Sequence, residues 1–135
     1  MNLSLVKNNP EYYEFIRELR IHKDNVFGFL NQSTITKEEQ IKYMEKYGES
    51  YYIALSDETP VGFVGVIDND IRVATHPNFK KQGIGKFMIN EIIKIFPNCF
   101  AKIKHNNLSS IKLFESCGFE IEFLIMKKNE LQKTN

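Results

Sequence analysis

The chain has no tryptophan, two cysteines, four prolines and seven glycines in 135 residues. Cys99 and Cys117 make neither a disulfide framework nor a zinc site, so no metal is expected and the fold must rest on apolar burial. A chain of this length can manage that, because it buries roughly two thirds of the surface its unfolded form exposes. Long apolar runs are missing too. The longest clean one covers residues 61–67, well short of the ~20 residues a membrane helix needs. The first ten residues hold no basic stretch followed by an apolar core, so a cytoplasmic location is expected. Repeats, low-complexity tracts and linkers are also absent, and residues 1–135 read as one domain.

What is present is the balance of a folded globular protein, with 42% apolar and 26% charged residues and a generous eleven Phe and six Tyr. The net charge of +1 hides an asymmetry. Residues 1–76 hold eight Lys/Arg against twelve Asp/Glu, whereas residues 77–112 hold seven Lys against one acid, Glu91. Lysines on helix faces also simply solvate a surface, but a basic middle suits a polyanionic small molecule. A nucleic-acid binder would be basic overall and would interleave aromatics with its cations. Here the aromatics fall at periodic, core-like positions. The partner expected is therefore a small molecule, without nucleic acid or membrane, and the protein a monomer or homodimer.

The periodicities give an element order. Residues 3–6 predict a strand, and Tyr12, Phe15, Ile16 and Leu19 mark a helix over residues 11–21. Thr36 followed by Glu39 is a capping box, opening a helix over residues 37–47. Residues 51–55, 61–67 and 71–75 read as three antiparallel strands, with turns at 56–60 and at Asp68-Asn69. After Pro77, Gly83-Ile84-Gly85 opens a helix that Pro97 ends. Residues 100–103 read as a strand. Asn107 or Ser109 caps a further helix, which Gly118 closes in a left-handed conformation, and residues 119–126 alternate like a last strand. The fold class is mixed α/β, a mostly antiparallel sheet with helices on both faces.

The chemistry concentrates in residues 77–86, between a strand and a helix. A loop there presents backbone N–H groups at the positive end of a helix dipole, and Gly83 and Gly85 let a phosphate approach them. Lys80, Lys81 and Lys86 add charge. Neither a Walker loop nor a dinucleotide fingerprint is present, since the Gly-Lys-Ser/Thr ending is missing and the glycine spacing is shorter.

Lys80-x-x-Gly83-x-Gly85 resembles the acetyl-CoA loop of the GNAT superfamily of N-acetyltransferases, Arg/Gln-x-x-Gly-x-Gly/Ala. Asn107-x-x-Ser110-x-x-Leu113-Phe114-x-x-x-Gly118-Phe119 resembles a second motif of that family, Asn-x-x-Ala/Ser-x-x-Leu-Tyr-x-x-x-Gly-Phe. The resemblance implies a central strand splayed from its neighbour, with one parallel pair beside Val73. It also implies acetyl-CoA as cosubstrate, with pantetheine along Val73, Ala74 and Thr75. Its phosphates would lie on the loop Lys80, Lys81, Gln82, Gly83, Ile84, Gly85 and Lys86, with Asn107 and Phe114 alongside. Asn107 also reads as a plain helix cap.

Acetyl transfer to an amine needs a neutral nucleophile, a donor for the developing oxyanion and a proton for the departing thiolate. A backbone N–H at the splay supplies the second. The tyrosine that supplies the third in the family corresponds to Phe114, and the usual base positions correspond to Asn69, Ile71 and Lys102. Substitutes are Asp70, at the start of the central strand, His76, at its open end, and His105, before the Asn107 motif. Each also reads as an ordinary turn or loop residue. A CoA thiol (pKa near that of free Cys, ~8.5) can leave without an acid.

Residues 31–43 are similar to a segment of bacterial amino-sugar N-acetyltransferases acting on nucleotide-linked 4-amino sugars, with Gln40 where a histidine is often found. That resemblance implies an amino-sugar acceptor, and Lys102 suits a diphosphate. The alternatives are a polyamine, an aminoglycoside or a protein N-terminus, or a non-catalytic acyl-CoA-binding module, which the missing tyrosine favours.

Overall fold

The computed structural model describes residues 2–22 and 35–129. Strand β1 (Leu3–Lys7) is followed by one 3-10 turn (Pro10–Tyr12) and helix α1 (Tyr13–Ile21). Helix α2 (Lys37–Tyr47) opens on the expected capping box. The Thr36 hydroxyl accepts the Glu39 N–H at 3.1 Å, and the Glu39 carboxylate accepts the Thr36 N–H at 3.0 Å. Strands β2 (Tyr51–Ser56), β3 (Thr59–Ile67) and β4 (Asp70–Thr75) complete an antiparallel sheet of order β1-β2-β3-β4. Helices α3 (Ile84–Ile95) and α4 (Leu108–Ser116) follow.

The turns are tighter than the sequence suggests. Pairing continues to Leu55↔Pro60 and Ser56↔Thr59, leaving Asp57 and Glu58 to turn the chain, with Asp57 left-handed at φ +56°. Asp68 and Asn69 are both left-handed, at φ +52° and +66°, in the paired left-handed geometry that a two-residue hairpin requires.

The sheet separates two apolar clusters. On one face Ile16 and Leu19 of α1 and Met44 of α2 pack on Tyr51, Ile53, Phe63 and Ala74. On the other, Ile84, Met88, Ile89 and Ile92 of α3, with Phe114 of α4, pack on Val64, Val66 and Ile71. The period-two alternation of β4 therefore assigns its side chains. Ile71 and Val73 face α3 and α4, while Arg72 and Ala74 face α1 and α2. Gln40 is buried between the first two helices, where its Nε2 donates to the Tyr13 carbonyl at 2.8 Å. It therefore ties α2 to α1.

Two expected strands differ. Residues 100–103 meet β4 in one parallel bridge, Asp70↔Phe100, and not beside Val73. Phe100 N–H donates to the Asn69 carbonyl at 2.7 Å, and Ile71 N–H donates to the Phe100 carbonyl at 2.9 Å. Beyond Phe100, Ala101 and Ile103 pack into the α3 cluster and no further rung joins them to β4 among the described residues. Residues 119–126 form no strand, because no ladder partner stands beside them among the described residues. No helix among the described residues is long and apolar enough to cross a membrane.

Candidate active site

The divergence of residues 100–103 from β4 opens a cleft of about 690 Å³ through the centre of the molecule. Backbone groups of a strand alternate in direction. Since Ile71 N–H points to Phe100, Val73 points its N–H and carbonyl to the same side, into the cleft.

One end of the cleft is made of backbone. His76 leads into a single 3-10 turn (Pro77–Phe79), and the chain then reverses through left-handed Lys81 (φ +64°) and Gly83 (φ +81°) into α3. The first intrahelical bond runs from Phe87 N–H to the Gly83 carbonyl, at 3.0 Å, and Gly83 supplies no side-chain cap. The amides of Ile84, Gly85 and Lys86 thus have no acceptor within the helix. The two glycines serve different ends. A Cβ at Gly83 would meet nothing within 4 Å, so that position is set by its left-handed backbone. A Cβ at Gly85 would lie 3.0 Å from Leu113 Cδ2, so that position is set by the close approach of α4. Lys80, Lys81 and Lys86 line the same end.

Opposite them, Asn107 caps α4. Its Oδ1 accepts the Ser110 N–H at 3.3 Å and the Ser109 hydroxyl at 3.2 Å, which leaves its Nδ2 amide outside the cap. It lines the cleft as well, so cap and cleft roles coexist. Phe114 is buried at the cleft wall, edge-on to Phe119 with ring centroids 5.0 Å apart. Of the residues expected to hold acetyl-CoA, all line the cleft except Gln82.

The other end is made of side chains, of which the sequence alone singled out Asp70 and Lys102 but not Tyr51, Arg72 or Arg20. Tyr51 is buried beneath it, its ring lying over Gly65, where a Cβ would come within 2.6 Å. Its hydroxyl shares a 2.7 Å hydrogen bond with Tyr43 of α2. Burial, and then Tyr43, push the Tyr51 phenol well above its ordinary pKa, so it stays protonated. Arg72 Nη1 donates to the Tyr43 hydroxyl at 3.3 Å, and Arg20 stacks over the Tyr43 ring at 5.4 Å. Burial opposes the Arg72 charge, but Tyr51, Tyr43 and Asp70 outweigh it and raise its pKa. Arg72 Nη2 and Lys102 Nζ each lie 3.8 Å from Asp70 Oδ2. Arg72 and Lys102 thus flank one carboxylate, Arg20 lines the cleft with them, and Asp70 is the one acid among the described residues that line it.

Of the three catalytic candidates, Asp70 is in the cleft and the two histidines do not line it. His76 Nδ1 accepts the Asn78 N–H at 3.1 Å and its ring meets Phe79 edge-on, so it caps the turn before the loop. His105 is exposed in the turn before α4. Asn69 is consumed by the β3–β4 turn, and Ile71 points into the apolar cluster under α3. Cys117 packs against that same cluster. Residues 31–34, part of the segment read as the acceptor wall, lie outside the described residues.

Similar proteins share this architecture. Spermidine N-acetyltransferase from Vibrio cholerae, in complex with CoA and spermine, superposes with a TM-score of 0.78 at 16% identity, over 90% of this chain and 82% of that one. yncA from Salmonella typhimurium, with its cofactor acetyl-CoA, gives 0.73 at 18% identity, over 90% and 81%. AAC(6')-Iy, in complex with the bisubstrate analogue CoA-S-monomethyl-acetylneamine, gives 0.67 at 16% identity, over 96% and 99%. At such identities the likeness is one of fold. No curated protein matches the sequence. The family itself comes from the sequence pattern, since the Acetyltransferase (GNAT) family matches residues 13–119, from α1 through both motifs. With the splayed cleft and the uncapped amides of α3, this makes the chain a member of the GNAT acetyltransferase family, an acetyl-CoA-dependent N-acetyltransferase.

Proposed function

We propose that the protein acetylates an amine on a molecule that also carries negative charge, a nucleotide-linked amino sugar being the best fit. The observation that carries this reading is the acceptor end of the cleft, where Arg72 and Lys102 flank Asp70, the one acid among the described cleft residues, and Arg20 adds a third cation to the lining. A polyamine would bring further positive charge to three cations. A diphosphate would instead meet guanidinium groups suited to bidentate oxygen contacts. Tyr51, which lines the cleft with its hydroxyl held by Tyr43, suits a hydroxyl-bearing ring. The many acids of residues 1–76 do not alter this, because Asp70 is the one among the described cleft residues.

The cosubstrate fits the other end. The amides of Ile84, Gly85 and Lys86, with Lys80, Lys81 and Lys86, suit a pyrophosphate, and the Val73 backbone suits an extended amide arm. When bound, acetyl-CoA supplies an activated acyl group on a thiol that leaves readily. The chain supplies position and field. The Val73 N–H is a donor for the acyl oxygen, and the cleft holds the amine in line with it.

The cations also account for the absent acid and base. Like charges nearby favour the neutral form of the acceptor amine, so it arrives deprotonated without a dedicated base. The same cations stabilise a departing thiolate, so Phe114 need not supply a proton. Asp70, held between Arg72 and Lys102, can pass a proton to water. The cytoplasm, where acetyl-CoA is available, is the location this reading carries. The test is release of CoA thiol from acetyl-CoA by nucleotide-linked amino sugars, spermidine and an aminoglycoside in parallel. Thiol release favouring the first supports the reading, and preference for spermidine removes it.

A further inference from the structure

We propose that His76 is a positioning residue for the cosubstrate, holding the phosphate loop in its binding conformation only while its imidazole is neutral. The inference rests on the proposed placement of the pyrophosphate on that loop. His76 is where β4 hands the chain to the loop, and it makes three hydrogen bonds there. Its N–H donates to the Val61 carbonyl at 2.8 Å, which fixes its backbone to β3 one residue beyond β4. Its carbonyl accepts the Phe79 N–H at 2.9 Å, and its Nδ1 accepts the Asn78 N–H at 3.1 Å. The last two close the turn Pro77–Phe79, from which Lys80, left-handed Lys81 and Gly83 run into α3. Two of the three are backbone bonds. The third belongs to the side chain and requires a lone pair on Nδ1, so the proton sits on Nε2.

Protonation puts a hydrogen on both ring nitrogens and removes that acceptor. The Asn78 N–H then faces another N–H, and the turn loses its cap. The usual capping residues, Ser, Thr, Asp and Asn, carry acceptors that persist from pH 5 to 8, the range in which imidazole changes charge. The consequence reaches the cleft through Phe79. Its ring meets His76 edge-on with centroids 5.7 Å apart, and it lines both the cleft and a second groove of about 360 Å³. His76 is half-buried in that groove, within reach of solvent protons. The titratable side chains that line it with His76 among the described residues are Glu18 and His22 of α1, and β3 contributes Thr59 and Pro60. The cap needs the neutral ring, so it is complete at high pH and lost as pH falls, and CoA affinity follows in the same direction.

Calorimetric titration of CoA into the full chain at pH 8 and at pH 5.5 tests this, with His76→Asn, His76→Ala and Gly83→Asp beside the wild type. The terminal phosphate of CoA also takes up a proton in this range, equally for every variant, so the reading is the difference between variants. His76→Asn supplies a side-chain acceptor that does not titrate. It should bind CoA like the wild type at pH 8 and roughly 2- to 30-fold more tightly than the wild type at pH 5.5, the worth of a capping bond. His76→Ala should be weaker by that factor at pH 8 and should converge on the wild type as pH falls. Far-UV circular dichroism checks that each variant is folded at both values. Nitrogen chemical shifts of the His76 ring, which need no variant, should show the Nε2–H tautomer at pH 8. An Nδ1–H tautomer, or a pH dependence that His76→Asn leaves unchanged, would overturn the proposal. CoA binding retained in Gly83→Asp would remove the pyrophosphate placement, and this inference with it. Binding lost in Gly83→Asp, with identical pH profiles for the wild type and His76→Asn, would remove only the role of His76.

Discussion

The two ends of the cleft are built by opposite means. The α3 end is backbone, with left-handed Lys81 and Gly83, three amides without helical acceptors, and a glycine that admits Leu113. The acceptor end is side chain, an Arg20–Tyr43–Tyr51–Arg72 cluster assembled from α1, α2, β2 and β4. A backbone site depends on a few positions where only one residue type fits, so it leaves a short motif. A side-chain site depends on positions brought together by folding, and many residue types can be placed there. On the proposed reading, the first end holds the cosubstrate, and the second is free to diverge with the acceptor.

The largest effect should come from breaking the backbone end. Gly83→Asp and Gly85→Asp should each abolish measurable CoA binding by calorimetry while the far-UV spectrum stays folded. A carboxylate would face the pyrophosphate, on a left-handed backbone at Gly83 and against Leu113 at Gly85. Gly83→Ala separates the causes. It keeps the space open and carries only the left-handed penalty, about 1–2 kcal/mol of stability. Unchanged CoA affinity in a folded Asp variant would remove the phosphate-loop assignment.

This asymmetry explains what the sequence could disclose. The loop motif, the Asn107 cap, left-handed Gly118 (φ +92°) and the Thr36–Glu39 box are local arrangements and were legible as such. Apart from the strand expected over residues 100–103, the order of elements through α4 was legible from periodicity. Arg72, Tyr51 and Tyr43 were not, because their significance lies in meeting across four elements. One signal was available: Arg72 alternates with Ile71 and Val73, so an arginine on a half-buried strand had to face something polar. The strand at 119–126 was read from alternation, which reports an apolar face and not the presence of a partner. The parallel pair at the splay shrank to one bridge because Ala101 and Ile103 pack under α3 instead of following β4.

The next effect breaks the other end. Arg72→Ala should lower kcat/KM for an anionic acceptor by roughly 10- to 100-fold, the worth of a charge-assisted hydrogen bond, with CoA affinity unchanged. Activity of the wild type should rise with pH as the acceptor ammonium loses its proton. Removing the Arg72 charge should move that rise to higher pH, because the field that favoured the neutral amine is weaker. A wild-type profile that falls above neutrality would mean that a side-chain acid operates in the cleft.

Phe114→Tyr probes the wall between the two ends. With the ring already at the cleft, the added hydroxyl should find polar surroundings, leaving Tm within a few degrees and the rate equal or higher. A loss of about 1–3 kcal/mol on thermal unfolding would show the hydroxyl buried without a partner.

The smallest effect separates the ends by stability alone. Thr36→Ala removes the cap of α2, the helix that carries Tyr43, and should cost about 0.5–2 kcal/mol. CoA binding should not change, and KM for the acceptor should rise. Hydrogen bonding from the Thr36 backbone holds the Glu39 carboxyl below the ordinary carboxylate pKa. Its contribution is therefore complete above that ordinary value and lost as pH falls through the lowered one.

The most direct measurement is the acceptor preference of the wild-type enzyme. Thiol release from acetyl-CoA should be compared for a nucleotide-linked amino sugar and for spermidine, at low and at high salt. A cationic acceptor end predicts a higher kcat/KM for the anionic acceptor, with the advantage shrinking as salt screens Arg20, Arg72 and Lys102. A higher kcat/KM for spermidine, or a preference that salt does not alter, would contradict it.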